Sequence, residues 1–249
     1  VGHSREYDEI HEYVQGDDVR TINWKASARK GNLMVNHYND EKAQQIYCVI
    51  DKGRAMKTPV NGLSLLDYAI NASLVLASIA LQNKDRAGLV TYSDVMGTFL
   101  PADAKPRQLD MISDLLHNEK SRFLESSAEL LYAYTRRRIT QRSLIVLFTH
   151  FDSVTALVRE LPYLKKINTY HLLLVVFFQD TELKQILEKP APDLLSIYTR
   201  TIAGKFALEK RLILSELRQA GILGLLTKPA TLTLNALNKY LEIKQRNLI

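Results

Sequence analysis

Four short, nearly continuous apolar runs constrain this chain more than any other feature: IYCVI at 46–50, AGLVTYS at 87–93, SLIVLFT at 143–149 and HLLLVVFF at 171–178. Runs of this kind, rich in β-branched residues and lacking polar alternation, mark strands buried on both faces. Helix-period stretches separate them at 64–83, 105–118, 125–138 and 153–166, and more follow at 181–188, near 192–220 and at 230–246. Strands alternating with helices of this length need crossover connections. The expectation is an α/β domain with a mostly parallel, doubly wound sheet, its first strand central. A fifth strand is expected in ILGLLTK at 222–228, with Pro229 opening the last helix.

Residues 1–44 break the alternation. They mix charged and aromatic residues and read as short strands around 5–14 and 33–41, with turns at Gly16-Asp17 and at Lys30-Gly31-Asn32. Forty-odd residues can hardly bury a core of their own, so the reading is a β-rich N-terminal extension over 1–44 packed on a sheet domain over 45–249. The chain begins at Val1 without an initiator Met or signal peptide and reads as a fragment or a processed chain. The stretch at 63–82 is apolar enough to resemble a membrane span. It holds Asp67 and Asn71, however, and its apolar residues nearly encircle the helix, as for a core helix. No membrane contact is expected within this chain.

Composition excludes several classes. The single cysteine, Cys48, leaves no disulfide framework and no cysteine-based zinc site, and a reducing compartment suits it. The net charge of +6 is unevenly placed: residues 1–130 carry 15 Lys and Arg against 18 Asp and Glu, whereas 131–249 carry 18 against 9. Basic patches of this density are ordinary solvated helix faces, and no base-stacking aromatics interleave them, so no specific nucleic-acid binding is expected. There is no glycine-rich phosphate loop and no nucleophile in an elbow motif.

Ligands of an open parallel sheet sit beyond the carboxyl ends of its strands. The residues there are Asp51-Lys52-Gly53-Arg54-Ala55-Met56, Tyr92-Ser93-Asp94, Thr149-His150-Phe151-Asp152 and Gln179-Asp180. Asp51, Asp94 and Asp152 are the candidates for a hard divalent ion, although carboxylates at strand ends also cap helices. His150 beside Asp152 invites a base–carboxylate reading. Asp51, Arg54, Asp94, His150 and Asp152 together form a polar rim fit for a charged partner.

A strand ending in Asp, then a helix, then a strand closing on a hydroxyl residue before an acidic loop, resembles the von Willebrand factor type A domain, of Rossmann-like topology. That family holds Mg²⁺ with a D-x-S-x-S motif and with a Thr and an Asp from other loops. This chain keeps Asp51 but has Gly53 and Ala55 at the two hydroxyl positions, and Thr149-His150 where Thr-Asp is usual. The adhesion site is therefore expected to be degenerate, with no cofactor and no Mg²⁺. Further, Gly16-Asp17-Asp18-x-Arg20-x-Ile22-Asn23-Trp24-Lys25-x-Ser27-Ala28-Arg29 resembles the signature of the domain-of-unknown-function family numbered 58. The likeness continues through Glu41, Asp51, Arg54-x-Met56, Asp85-x-x-Gly88-Leu89, Ser93-Asp94 and Arg142-Ser143-Leu144. The signature reads first as a structural brace, in which Asp17 and Asp18 cap or pair with Arg20 and Arg29 and Trp24 serves as an apolar anchor. The same composition also suits a recognition surface.

That second resemblance implies a bacterial, cytoplasmic domain, tethered at the inner face of the membrane through segments outside this chain. It implies a non-enzymatic adaptor or substrate factor working with a MoxR-type AAA+ ATPase. The rival reading is a metal-assisted hydrolase using Asp51, His150 and Asp152, in which a metal-activated water replaces the missing nucleophile.

Overall fold

The computed structural model describes residues 5–15, 17, 19–40, 43–117, 119–122, 124–179 and 193–248. The chain divides into two compact units, Val1–Ala43 and Gln44–Ile249. In the first, β1 (Arg5–Glu12) and β2 (Met34–Asp40) pair antiparallel. Between them lies a helix that the strand-and-turn reading did not include, α1 (Trp24–Lys30). Asn23 starts it by accepting the Ala26 N–H at 3.0 Å, and Gly31 ends it in the left-handed region at φ 77°, where a side chain would be strained.

The second unit follows in chain order. It comprises β3 (Gln45–Asp51), the two-residue strands β4 (Pro59–Val60) and β5 (Leu63–Ser64), α2 (Leu65–Gln82), β6 (Arg86–Tyr92) and β7 (Met96–Asp103). Then come α3 (Gln108–His117), α4 (Ala128–Arg138), β8 (Leu144–Phe148), α5 (Val154–Tyr170) and β9 (Leu172–Phe178). Last are α6 (Leu194–Gln219), β10 (Leu223–Thr227) and α7 (Leu232–Gln245). The six-stranded sheet runs β10-β9-β8-β3-β6-β7, which puts β3 in the interior with Cys48 opposite Val146 on one side and Leu89 on the other. All neighbours are parallel except β6 and β7.

The apolar runs are buried on both faces, as their lack of alternation requires. Ile46, Cys48 and Ile50 face α2 and α7 on one side, while Tyr47 and Val49 join the cluster of α4, α5 and α6 on the other. Strand β7 was not legible as a strand. Gly97 and Pro101 interrupt its pattern, and its edge position allows both, because one side of the ladder goes unpaired. The helix expected at 181–188 and the acid Asp180 lie outside the described residues.

Helix α2 is, among the described residues, the one long and apolar enough to cross a membrane. It is a core helix: Leu65, Leu66, Ala69, Ala72, Leu76, Ala77 and Ala80 are buried in the cluster under the sheet. Asp67, which argued against a span, completes a reciprocal cap with Ser64 at its first turn.

Candidate functional site

Beyond the carboxyl ends of β3, β6 and β8, backbone hydrogen bonds stitch separate loops into one rim. Lys52 N–H donates to the Tyr92 carbonyl at 2.8 Å, Arg54 N–H to Leu124 at 3.0 Å and Ser127 N–H to Ser93 at 3.1 Å. At its centre Asp51 is only 5% exposed. One carboxylate oxygen accepts the Gly53 N–H at 2.7 Å and the Ser126 hydroxyl; the other accepts the Thr149 hydroxyl at 2.6 Å. Burial pushes the Asp51 carboxyl above its ordinary range, and these three donors offset that only in part. Among the described residues no cation contributes to holding its charge.

Sequence reasoning missed Ser126. It lies 75 positions from Asp51, and its only signal is the Ser126-Ser127 doublet opening α4, where Ser127 is the cap. Its hydroxyl stands where a side chain at position 53 would grow, since a Cβ on Gly53 would run into it. The glycine is thus what lets Ser126 reach Asp51.

The third loop departs from the base–carboxylate reading. His150 is buried with Nε2 3.1 Å from the Lys210 ammonium, while Asp152 lies 3.9 Å away, beyond hydrogen-bond reach, with its side chain 62% exposed. Lys210 comes from the middle of α6, is itself buried, and donates to the Phe151 carbonyl at 2.5 Å. Burial first, and the Lys210 charge second, push the His150 pKa down to about 3, so the ring is neutral at physiological pH. Its Nδ1 has no hydrogen-bond partner among the described residues.

A second acid that was not anticipated faces Asp51. Glu160, half-buried on α5, has its pKa pushed up to about 7, first by burial and then by the Asp51 charge. Asp51, Arg54, His150, Asp152 and Glu160 line one cavity of about 50 Å³. That is far below the roughly 300 Å³ at which organic-ligand pockets begin. At its mouth Glu125 bridges two exposed guanidinium groups, Arg159 at 2.9 Å and Arg54 at 3.6 Å.

Asp94, grouped with this rim from sequence, does not line the cavity. Its carboxylate takes the Arg122 guanidinium at 3.0 Å and the Ser93 hydroxyl at 3.0 Å. Alongside, Lys52 pairs with Glu119 at 2.6 Å, and Glu119 also accepts from Thr91 and Thr98 at 2.8 Å each. Burial alone would raise Glu119, but these donors hold its carboxyl below the ordinary value. This flank is a brace.

In the first unit, Gly16 and Asp18 of the signature lie outside the described residues. Asp17 closes a turn by accepting the Val14 N–H at 2.9 Å and meeting the His11 ring at 3.1 Å. Ser27 donates to the Asn23 carbonyl at 2.8 Å and accepts the Met34 N–H at 2.9 Å, pinning α1 to β2. Trp24, expected as an apolar anchor, is instead 70% exposed, and hydrogen bonds made by Asn23 and Ser27 fix α1. Arg29 is exposed as well, and Arg20 sits in the short turn at Val19–Thr21.

The family described as “Protein of unknown function DUF58” matches residues 9–185, well over half of the chain. The chain belongs to this family. The DUF58 match spans both the N-terminal signature and the rim from Asp51 to Asp152. No curated protein sequence matched the chain. Among solved structures, the conserved hypothetical protein BatB from Bacteroides thetaiotaomicron is similar at 11% identity and a TM-score of 0.53, covering 82% of this chain and 99% of that one. The von Willebrand factor type A domain of SpRpn10 is similar at 10% identity and a TM-score of 0.49, covering 80% and 95%. An aerotolerance-related membrane protein from Bacteroides fragilis NCTC 9343 is similar at 14% identity and a TM-score of 0.39, covering 54% and 67%. The fold is von Willebrand factor type A-like.

That fold implies a Mg²⁺ site at this rim, and the residues here do not fit one. Both oxygens of Asp51 are committed to protein donors. Gly53 and Ala55 bring no oxygen, and the loop acid is replaced by a neutral His150 beside an ammonium. Asp94 is turned to Arg122 and Asp152 to solvent. Among the described residues no three His, Cys, Asp or Glu side chains converge for a metal ion.

Proposed function

We propose that this chain is a non-enzymatic protein-interaction module, an adaptor or substrate factor that docks a MoxR-type AAA+ ATPase or its client at the carboxyl rim. The observation that carries the reading is the contrast within the rim. Its floor is Asp51, bonded among the described residues to two hydroxyls and an amide, while its mouth presents the exposed charges of Arg54, Glu125, Asp152 and Arg159. A surface of mixed exposed charge around a small pit can steer a charged partner and fix its register. The ATPase itself is drawn from the family resemblance, as are the cytoplasmic placement and a membrane tether outside this chain.

Against the hydrolase reading stands the geometry of His150. A general base needs a pKa near the working pH and an orienting partner. A ring held near pKa 3 and facing an ammonium has neither.

The test is capture of the ATPase by the full-length protein, then affinity measurement for the Arg54→Ala/Asp152→Ala/Arg159→Ala variant. These side chains are exposed, so the melting temperature should barely move. Affinity should fall about tenfold or more. Unchanged affinity would remove the rim from consideration.

A further inference from the structure

The first unit carries a concavity that the rim reading does not use. It measures about 300 Å³; Ile10, Ala26 and Met34 form its floor, and Lys25, Arg29 and Lys30 line it as well. All three cations come from α1, with Arg29 four positions after Lys25 and Lys30 next to it, so like charges crowd one another. Among the described residues, none of the three has an ion pair or side-chain hydrogen bond, and no carboxylate lines the pocket. This is not a generally basic segment: residues 1–43 hold eight Asp and Glu against six Lys and Arg. Three of the six Lys and Arg thus gather at one place.

We propose that this pocket docks a peptide segment that presents an apolar side chain flanked by carboxylates. The floor supplies burial for one or two apolar side chains, whose removal from water favours docking. The cations supply complementarity and speed of encounter. A volume at the lower bound of ligand pockets fits a side chain better than a cofactor. A concave seat also suits a protruding residue better than a flat lipid surface, and a free phosphate would have no use for an apolar floor. Asn23 is locked between the Ala26 N–H and the Asn36 side chain, so one wall is preformed. Exposed Trp24, next to Lys25 at the start of α1, is the residue type most enriched at binding hot spots. The proposal concerns the unit that does not hold the rim and stands whether or not the rim binds a partner.

Trp24 is the only tryptophan, so its fluorescence reports on this unit directly. The probe is a short acetylated peptide with a leucine pair between aspartates, titrated into the whole chain and followed by Trp24 emission and by calorimetry. Saturable binding is expected, weakened about tenfold by Arg29→Glu/Lys30→Glu and weakening steeply with added salt. The same peptide with serine for leucine, or asparagine for aspartate, should bind at least about tenfold more weakly. The neutral Lys25→Gln/Arg29→Gln variant gives a second reading should charge reversal disturb the fold by circular dichroism. Silence in both measurements overturns the proposal, as does equal affinity of the variants or equal binding of the control peptides. Competition by phosphatidylglycerol vesicles at comparable strength would overturn it in favour of a lipid surface.

Discussion

Each end of the central sheet is built on a buried aspartate, and the two are held in opposite ways. At the amino end Asp85, 1% exposed, accepts the Tyr240 hydroxyl at 2.6 Å, the Lys244 ammonium at 3.2 Å and the Gln44 N–H at 3.0 Å. Those bonds tie α7 and the entry to β3 onto the start of β6. At the carboxyl end Asp51 has, among the described residues, hydroxyls and one amide but no cation, and Glu160 adds a like charge nearby. A buried charge that is neutralised fastens structure; one left without a counter-charge costs stability and persists where something else uses it. The fold is clamped at its amino end and keeps its uncompensated charge at the end where this fold class binds.

The largest expected effect tests the clamp. Asp85→Ala removes an acceptor from the buried Tyr240 hydroxyl and the carboxylate from Lys244, and should cost about 3 kcal/mol in urea unfolding. Asp51→Asn keeps an acceptor for Ser126 or Thr149 while discharging the rim, so it should stay within about 1 kcal/mol of wild type or gain. Equal losses at the two ends would erase the contrast.

A smaller effect sharpens it through pH. Glu160 has a folded pKa of about 7 against an ordinary 4.5, so the folded state holds its proton more tightly than the unfolded chain. The stability from that proton is complete below 4.5 and is lost as pH rises to 7. Asp51 acts with the same sign. His150 runs the other way: with a folded pKa of about 3 against 6.5, its contribution is complete above 6.5 and is lost as pH falls. Between 4.5 and 6.5 the two slopes oppose each other. Glu160→Gln should raise stability at alkaline pH by about 2 kcal/mol, the pKa difference discounted for partial exposure. It should also uncover a steeper acid loss from His150. An unchanged melting temperature at pH 8 would mean that water already screens Glu160.

Much of the fold was legible because fully buried parallel strands cannot hide their composition, and 46–50, 87–93, 143–149 and 171–178 each lie on a strand of the sheet. Strand β7 was hidden, since an edge tolerates Gly97 and Pro101 and shows no continuous apolar run. At the rim, Asp51, Arg54, His150 and Asp152 could be placed because each follows directly on a recognisable strand. Ser126 and Lys210 could not. They reach the site from the opening of α4 and the middle of α6, and nothing local to a serine before a helix or a lysine within one encodes where it points.

The smallest expected effect is a null one, and it asks whether the rim is a metal seat in disguise. A ligand raises stability only by binding the native state above its dissociation constant. For Mg²⁺ to bind here, it would have to crowd in beside the three protein donors already on Asp51, and positions 53 and 55 bring no side-chain oxygen to help hold it. Millimolar Mg²⁺ should therefore leave the melting temperature unchanged. A rise that disappears in Asp51→Asn would show a working site and undo the contrast between the two ends. The converse change is equally informative. Restoring hydroxyls with Gly53→Ser/Ala55→Ser puts a Cβ against the Ser126 hydroxyl, so the double variant should be destabilised by itself. Adding Ser126→Ala relieves that overlap. If the triple variant then responds to Mg²⁺ where the parent does not, the hydroxyl of Ser126, seated in the space Gly53 leaves open, is what closes this rim to metal.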